Sequence, residues 1–254
     1  MNGKKSLSNG RAATAESTPG TGKKGGKNLH ENHRERVKRR FLQSGLDDFD
    51  SHNILELLLF FSIARKDTNE TAHQLIEEFG SLSGVCDAPY EELLKVPGIG
   101  ESSAALLKLI PGLCRRYLED KCSHISVINS TKLAGTYLLS KFVGVTQERI
   151  ILMCLDAKCR LLSCATVYEG SVNAAEVNIR CLVEQTIRSN ASSVIISHNH
   201  PGGVALPSPE DIVTTKRIIE AMRMISVHVV DHIIVADDDY VSLADSAQYT
   251  GLFD

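Results

Sequence analysis

Ser193-Val-Ile-Ile-Ser-His198-Asn-His200-Pro201-Gly-Gly-Val-Ala-Leu-Pro-Ser208-Pro209-Glu210-Asp211 is the stretch whose reading decides the fold and the chemistry. Its opening run is rich in β-branched residues and reads as a strand, on which residues two apart face the same way. His198 and His200 therefore present both imidazoles to one side. Pro201-Gly-Gly ends the strand and turns the chain. Ser208, with Pro209 at the first helical position, forms an N-cap that sets Asp211 in the first turn of a helix. Two imidazoles and one carboxylate make half-closed zinc chemistry, because a structural site normally fills its fourth position with another protein ligand. An open position lets a zinc ion (Zn2+) lower the pKa of a water to about 7. The bland alternative is a capping-box helix start beside two strand histidines at a surface loop. The order strand, glycine turn, capped helix favours metal.

Working outward, the flanks alternate strand and helix. Ser130 or Thr131 caps a helix through Phe142, Ile150 to Leu155 is a continuous apolar strand, and Asp156 to Cys159 turns into a returning strand, Arg160 to Tyr168. Val177 to Ser189 is helical. After Ser208, Ile212, Thr215, Ile219 and Met222 recur at helical spacing. Val227 to Val235 pairs with Tyr240 to Leu243 through the acidic turn Asp237 to Asp239. This α/β order predicts a mixed β-sheet flanked by helices over residues 123–254.

The preceding region, 30–122, predicts an all-α domain: Glu31 to Leu42, Asp50 to Ala64, Asn69 to Glu78, Pro89 to Lys95 and Glu101 to Ile110. Val96-Pro-Gly-Ile-Gly100 between the last two fits a helix-hairpin-helix pattern. There the backbone N–H groups of Gly98 and Gly100 suit a DNA phosphate and carry no sequence information. A tight αα turn needing glycine only for its backbone angles is the alternative, and Glu101 at the tip repels phosphate. Residues 1–29, rich in Gly, Ser, Thr and Lys, predict a disordered basic tail.

The chain has 254 residues, 43% hydrophobic and 23% charged, with a net charge of -3. That balance hides an asymmetry: residues 1–40 carry eleven Lys and Arg against Glu16, Glu31 and Glu35, leaving the remainder acidic. The most apolar stretch, Ile54 to Ala64, is too short for a bilayer and holds Glu56, and the first residues form no signal-peptide core. No membrane association is expected. Seven cysteines without a C-x-x-C pair point to reduced thiols in the cytoplasm.

The constellation His198-Asn-His-Pro201, Ser208-Pro-Glu-Asp211, Glu169-Gly-Ser-Val172 and Asp231-His-Ile-Ile234, behind Pro97-Gly-Ile-Gly100, resembles the RadC-like members of the JAMM (MPN+) metallopeptidases over residues 31 to 250. The resemblance implies a JAMM/MPN sheet with cytidine-deaminase-like layering and zinc held by His198, His200 and Asp211. It implies hydrolysis of a peptide or protein substrate at a peptide or isopeptide bond, with Ser208 supporting the oxyanion. The family's catalytic base, a glutamate eight residues before the Asp that ends the first strand, falls on Glu148; Glu169 and Glu176 are the alternatives. His232 reads either as a support to the zinc site or as a satisfied core histidine. Two segments depart from the family pattern: Ile179-Arg180-Cys181 stands for Pro-Arg-Glu, and Gly202 replaces a serine. Cys181 reads as a buried helix residue, with a reactive thiol as the alternative. The family's suggested repair role makes weak, non-specific DNA binding the competing reading. A zinc deaminase, the third class, needs H-x-E together with P-C-x-x-C, and the chain has no P-C-x-x-C.

Overall fold

The computed structural model describes residues 27–170 and 178–253. The expectations for the tail up to residue 26, for Ser171 and Val172 and for Glu176 lie outside the described residues. The helical region comprises α1 (Lys27–Ser44), α2 (Ser51–Ser62), α3 (Asn69–Phe79), α4 (Leu82–Asp87), α5 (Tyr90–Leu93) and α6 (Glu101–Cys122). Leu55, Leu59, Leu75, Val85, Leu93, Ile99 and Leu107 form its core. Each leucine fully withdrawn from water contributes about 1.5 to 3 kcal/mol.

Two arginines of α1 are spent on packing. The Arg34 guanidinium lies 4.8 Å from the Phe60 ring centre and donates to the Lys66 carbonyl. Arg40 covers Phe49 at 4.4 Å and donates to the Asp48 carbonyl. Inside α2, Glu56 is buried and carries its own partners, His33 Nε2 at 2.8 Å and Asn69 Nδ2 at 3.3 Å.

Three features of this region depart from the sequence-based expectation. Helix α1 begins at Lys27, within the stretch 1–29 expected to be a disordered tail. Helix α4, opened by Ser81 accepting a hydrogen bond from Gly84 N at 2.9 Å, lies between two expected helices in a stretch to which no element was assigned. Helix α6 continues past Ile110 to Cys122 with Pro111 inside it. Proline deletes one backbone bond and costs about 3 kcal/mol in a helix interior. Packing offsets it: a Cβ placed on Gly144 would stand 2.4 Å from Pro111 Cβ, so the helix lies directly against the loop after the next helix.

That helix, α7 (Thr131–Phe142), is capped by Ser130, whose Oγ accepts from Leu133 N at 3.3 Å. There follow β1 (Arg149–Leu155), β2 (Leu161–Glu169), α8 (Ile179–Arg188), β3 (Ser193–Asn199), α9 (Pro209–Met224), β4 (His228–Ala236), β5 (Asp239–Ser242) and a closing 3-10 turn, Thr250–Leu252. The sheet order is β2-β1-β3-β4-β5. β3 runs parallel to β4 and antiparallel to β1, which makes the sheet mixed. The central strands β1 and β3 are buried on both faces, hence the continuous apolar runs Ile150 to Leu155 and Val194 to Ile196. Ile150, Leu152 and Cys154 face α8 and α9, while Ile151, Met153 and Leu155 face α7.

One irregularity positions the site. Val194 pairs with Val229 but Ile195 pairs with Asp231, so Val230 is an extra residue, 39% exposed. Because strand side chains alternate with period two, a single inserted residue exchanges the faces of all that follow it. The bulge places His232 opposite Ile196, on the α9 face with His198, and puts Asp231 on the other. There Asp231 accepts from Ser242 Oγ at 2.6 Å and Ala244 N at 3.0 Å. The helical region meets this unit through Arg115 Nη1 donating to Val143 O at 3.0 Å and a Lys141–Glu119 pair at 3.3 Å. No helix among the described residues is long and apolar enough to cross a membrane.

Candidate metal centre

His198 occupies the penultimate position of β3, deep between β1 and β4, and is 5% exposed. His200 extends the strand by one bond, its N–H donating to Val235 O at 2.8 Å. The chain then reverses at Gly202, whose φ of 65° lies in the left-handed region glycine enters without a Cβ clash. Ser208 and Asp211 form a reciprocal capping box at the start of α9: Asp211 N donates to Ser208 Oγ at 3.1 Å, and Ser208 N to Asp211 Oδ2 at 2.8 Å. The Ser208 hydroxyl also donates to Oδ2, at 2.7 Å.

These elements converge three donor atoms. His198 Nε2 lies 2.9 Å from His200 Nε2 and 3.3 Å from Asp211 Oδ1, and His200 Nε2 lies 3.5 Å from Asp211 Oδ2. Donors about 2.0 to 2.1 Å from one tetrahedral ion stand about 3.3 Å from each other, so the observed spacing fits. His198, His200 and Asp211 together could hold a metal ion.

The hydrogen bonds behind the imidazoles determine which nitrogens are available. Thr215 Oγ1 donates its only proton to Asp211 O at 2.6 Å, so the 2.6 Å contact between that oxygen and His232 Nδ1 requires His232 to donate. His232 is buried, and burial holds its pKa at about 3, keeping it neutral. Its Nε2 is therefore an acceptor and takes the proton of His198 Nδ1 at 2.8 Å. His200 Nδ1 likewise donates to Val204 O at 3.1 Å. Both Nε2 lone pairs then point at the Asp211 carboxylate and at each other, an arrangement that demands a cation.

A proton on an imidazole Nε2 can take the cation's place, and the titration behaviour shows the pull on it. Burial alone would raise the Asp211 pKa, but hydrogen bonds and charge from His198 and His200, with Ser208, hold it well below the usual carboxylate range. His200 is raised, first by its bond to Asp211 and against desolvation, with Val204 O and the nearby Glu148 charge contributing.

Glu148 immediately precedes β1 and is half-buried. Its backbone is fixed on both sides by Asn199, the middle residue of His-Asn-His: Nδ2 donates to Gln147 O at 3.1 Å and Oδ1 accepts from Arg149 N at 2.8 Å. Glu169 ends β2 half-exposed, paired with Arg149 Nη2 at 2.6 Å. Gly98 and Gly100 stay in the helical region, in the hairpin between α5 and α6. Cys181, expected to be buried, is only half-buried in the first turn of α8, its Sγ 4.0 Å from Val167 O.

Thr215 and Asn199 were not singled out as site residues from the sequence. Thr215 follows Asp211 by one helical turn, a spacing that could have marked it, although it coincides with the apolar stripe of α9. A crevice of about 360 Å³ opens beside His200, bounded by Asp87 of α4, Phe142, Val145, Pro201 and Asp237.

Residues 128–249 match the family model described as the RadC-like JAB domain. The matched segment spans α7, all five strands, α8, α9 and the three converging ligands, and α1 to α6 precede it. The sheet, its helices and the His-His-Asp group thus agree with the match, and residues 128–249 of this chain belong to the RadC-like JAB domain family.

Proposed function

We propose that the chain is a zinc-dependent hydrolase of the JAMM type that cleaves peptide or isopeptide bonds. The observation that carries this reading is the convergence of two proton-free imidazole nitrogens and a carboxylate at the edge of a crevice. A zinc ion held by His198, His200 and Asp211 would act as a Lewis acid and lower the pKa of water to about 7. Glu148, close enough to His200 to influence its charge, accepts a proton from the attacking water and returns it to the leaving nitrogen. Its rival Glu169 is engaged with Arg149, which supports Glu148. Ser208 stands at the rim, and its hydroxyl, now bonded to Asp211, turns to the oxyanion as the carbonyl oxygen gains charge. The crevice beside His200 takes the substrate chain.

The test combines elemental analysis with a peptide-library cleavage assay. Glu148→Gln is expected to keep one equivalent of zinc and lose about 10²- to 10⁴-fold in turnover. A wild-type protein that is zinc-free after metal-supplemented expression, or near-normal turnover in Glu148→Gln beside an inactive Glu169→Gln, overturns the zinc or the base assignment respectively.

A second reading concerns the helical region. Gly98 has φ of 91° and lies where a Cβ would stand 2.8 Å from Thr71 Oγ1, while Gly100 is exposed at the start of the long helix α6. An exposed backbone at a helix N-terminus supports weak duplex DNA binding without sequence preference. Glu101 in the first turn and the packing duty of Arg34 and Arg40 limit its strength. Fluorescence anisotropy with labelled duplexes should give affinity that falls steeply with salt, and no binding at low ionic strength rejects it.

A further inference from the structure

The face of the sheet opposite the metal centre holds a second polar crevice, of about 130 Å³, where α6, α7 and the β1–β2 edge meet. Arg115 of α6, Lys141 of α7 and Arg149 of β1 line it, together with Glu119 and Thr166. Three cations from three separate elements thus surround one carboxylate. Glu119 is already engaged, 3.3 Å from Lys141 and 3.5 Å from Arg116.

Arg149 supplies the decisive detail. Its Nη2 is paired with Glu169 at 2.6 Å, but its Nε is buried without a hydrogen-bond partner in the protein. A guanidinium N–H withdrawn from water and left unpaired is costly, and in native structures such a group usually has a protein, water or ion partner. A guanidinium matches the oxygen spacing of a tetrahedral oxyanion, and a neighbouring ammonium adds charge. We propose that this crevice binds a phosphoryl oxyanion, contacted by Arg149, Lys141 and Arg115.

The site is independent of the hydrolase reading, since it uses none of the metal ligands and none of the residues assigned to bond cleavage. Its ligand is held at once by α6 of the helical region and by α7 and β1 of the JAB domain. Binding therefore ties the two regions together and fixes the start of the strand that follows Glu148.

The experiment is thermal unfolding and calorimetry of the full chain titrated with inorganic phosphate, against sodium acetate and sodium chloride at matched ionic strength. Phosphate should raise Tm saturably, as a ligand specific for the folded state must, and the two control salts should not. A 5′-phosphorylated dinucleotide compared with its unphosphorylated form separates the two sources: binding stronger than inorganic phosphate assigns a nucleotide phosphate, and equal or weaker binding assigns the free ion. Arg149→Gln should weaken phosphate by about tenfold or more, as expected for loss of a charge-assisted hydrogen bond. If Arg149→Gln does not fold, Lys141→Gln decides in its place. A phosphate response no larger than that of chloride, or one undiminished in the deciding variant, overturns the proposal.

Discussion

His232 is not itself one of the three candidate ligands, yet through its bond to His198 Nδ1 it selects the nitrogen that His198 turns toward Asp211. The selection runs from the Asp211 carbonyl through Thr215 and His232 to His198, and every member is buried or nearly so. Removing the middle of such a chain leaves His198 Nδ1 without its acceptor and Thr215 Oγ1 without its donor, and frees the His198 ring to adopt the wrong tautomer. His232→Ala should weaken zinc by about 10- to 100-fold, the usual effect of losing a partner behind a ligand. His232→Gln, which can accept from one side and donate to the other, should recover part of it. Competition against a chromogenic chelator measures both, and His232→Ala binding zinc as tightly as wild type would show that the chain of bonds does not set the tautomer. The two histidines and Asp211 were legible in the sequence because strand alternation and capping chemistry act over a few residues. The duty of His232 stayed ambiguous, since it depends on which face of β4 it occupies.

That face is settled by an element-scale feature, the Val230 bulge, and nothing local in His228-Val-Val-Asp-His232 marks a bulge. The strands, their order and the helices of residues 123–254 could be read from apolar runs and turn residues; the phase of β4 could not, because it comes from pairing with β3. Helix packing shows the same division. Gly135 in the middle of α7 resembles a propensity defect, but a Cβ there would stand 2.3 Å from Cζ of Tyr240 on β5. Gly135→Ala gains helix propensity of about 1 kcal/mol and meets an aromatic ring, and overpacking typically costs about 1 to 3 kcal/mol. Net destabilisation is therefore expected in urea unfolding. The penalty should shrink in a Tyr240→Leu background, where the shorter side chain leaves room. Equal effects of Gly135→Ala in both backgrounds would place its cost elsewhere than the α7–β5 contact.

At the scale of the whole molecule, the two regions share a seam that the sequence analysis treated only as a boundary. Pro111, read as the limit of a helix, lies inside α6 and abuts Gly144, and the loop carrying Gly144 also lines the crevice beside His200. Packing of α6 is thereby coupled to the shape of the proposed substrate path. Gly144 has φ of 66°, so Gly144→Ala incurs the left-handed penalty, roughly 1 to 2 kcal/mol, as well as contact with the proline ring. The variant should unfold at lower urea and, by displacing the 142–146 loop, raise KM for a cleaved peptide. Zinc content and kcat should change little, because neither the ligands nor Glu148 moves with that loop unless β1 does. Pro111→Gly in the same chain, which removes that Cβ, should relieve the contact and recover part of KM while the backbone penalty persists. A Gly144→Ala protein that is less stable yet has wild-type KM would separate the seam from substrate binding and direct the substrate to the opposite rim, where Val204 and Leu206 are exposed.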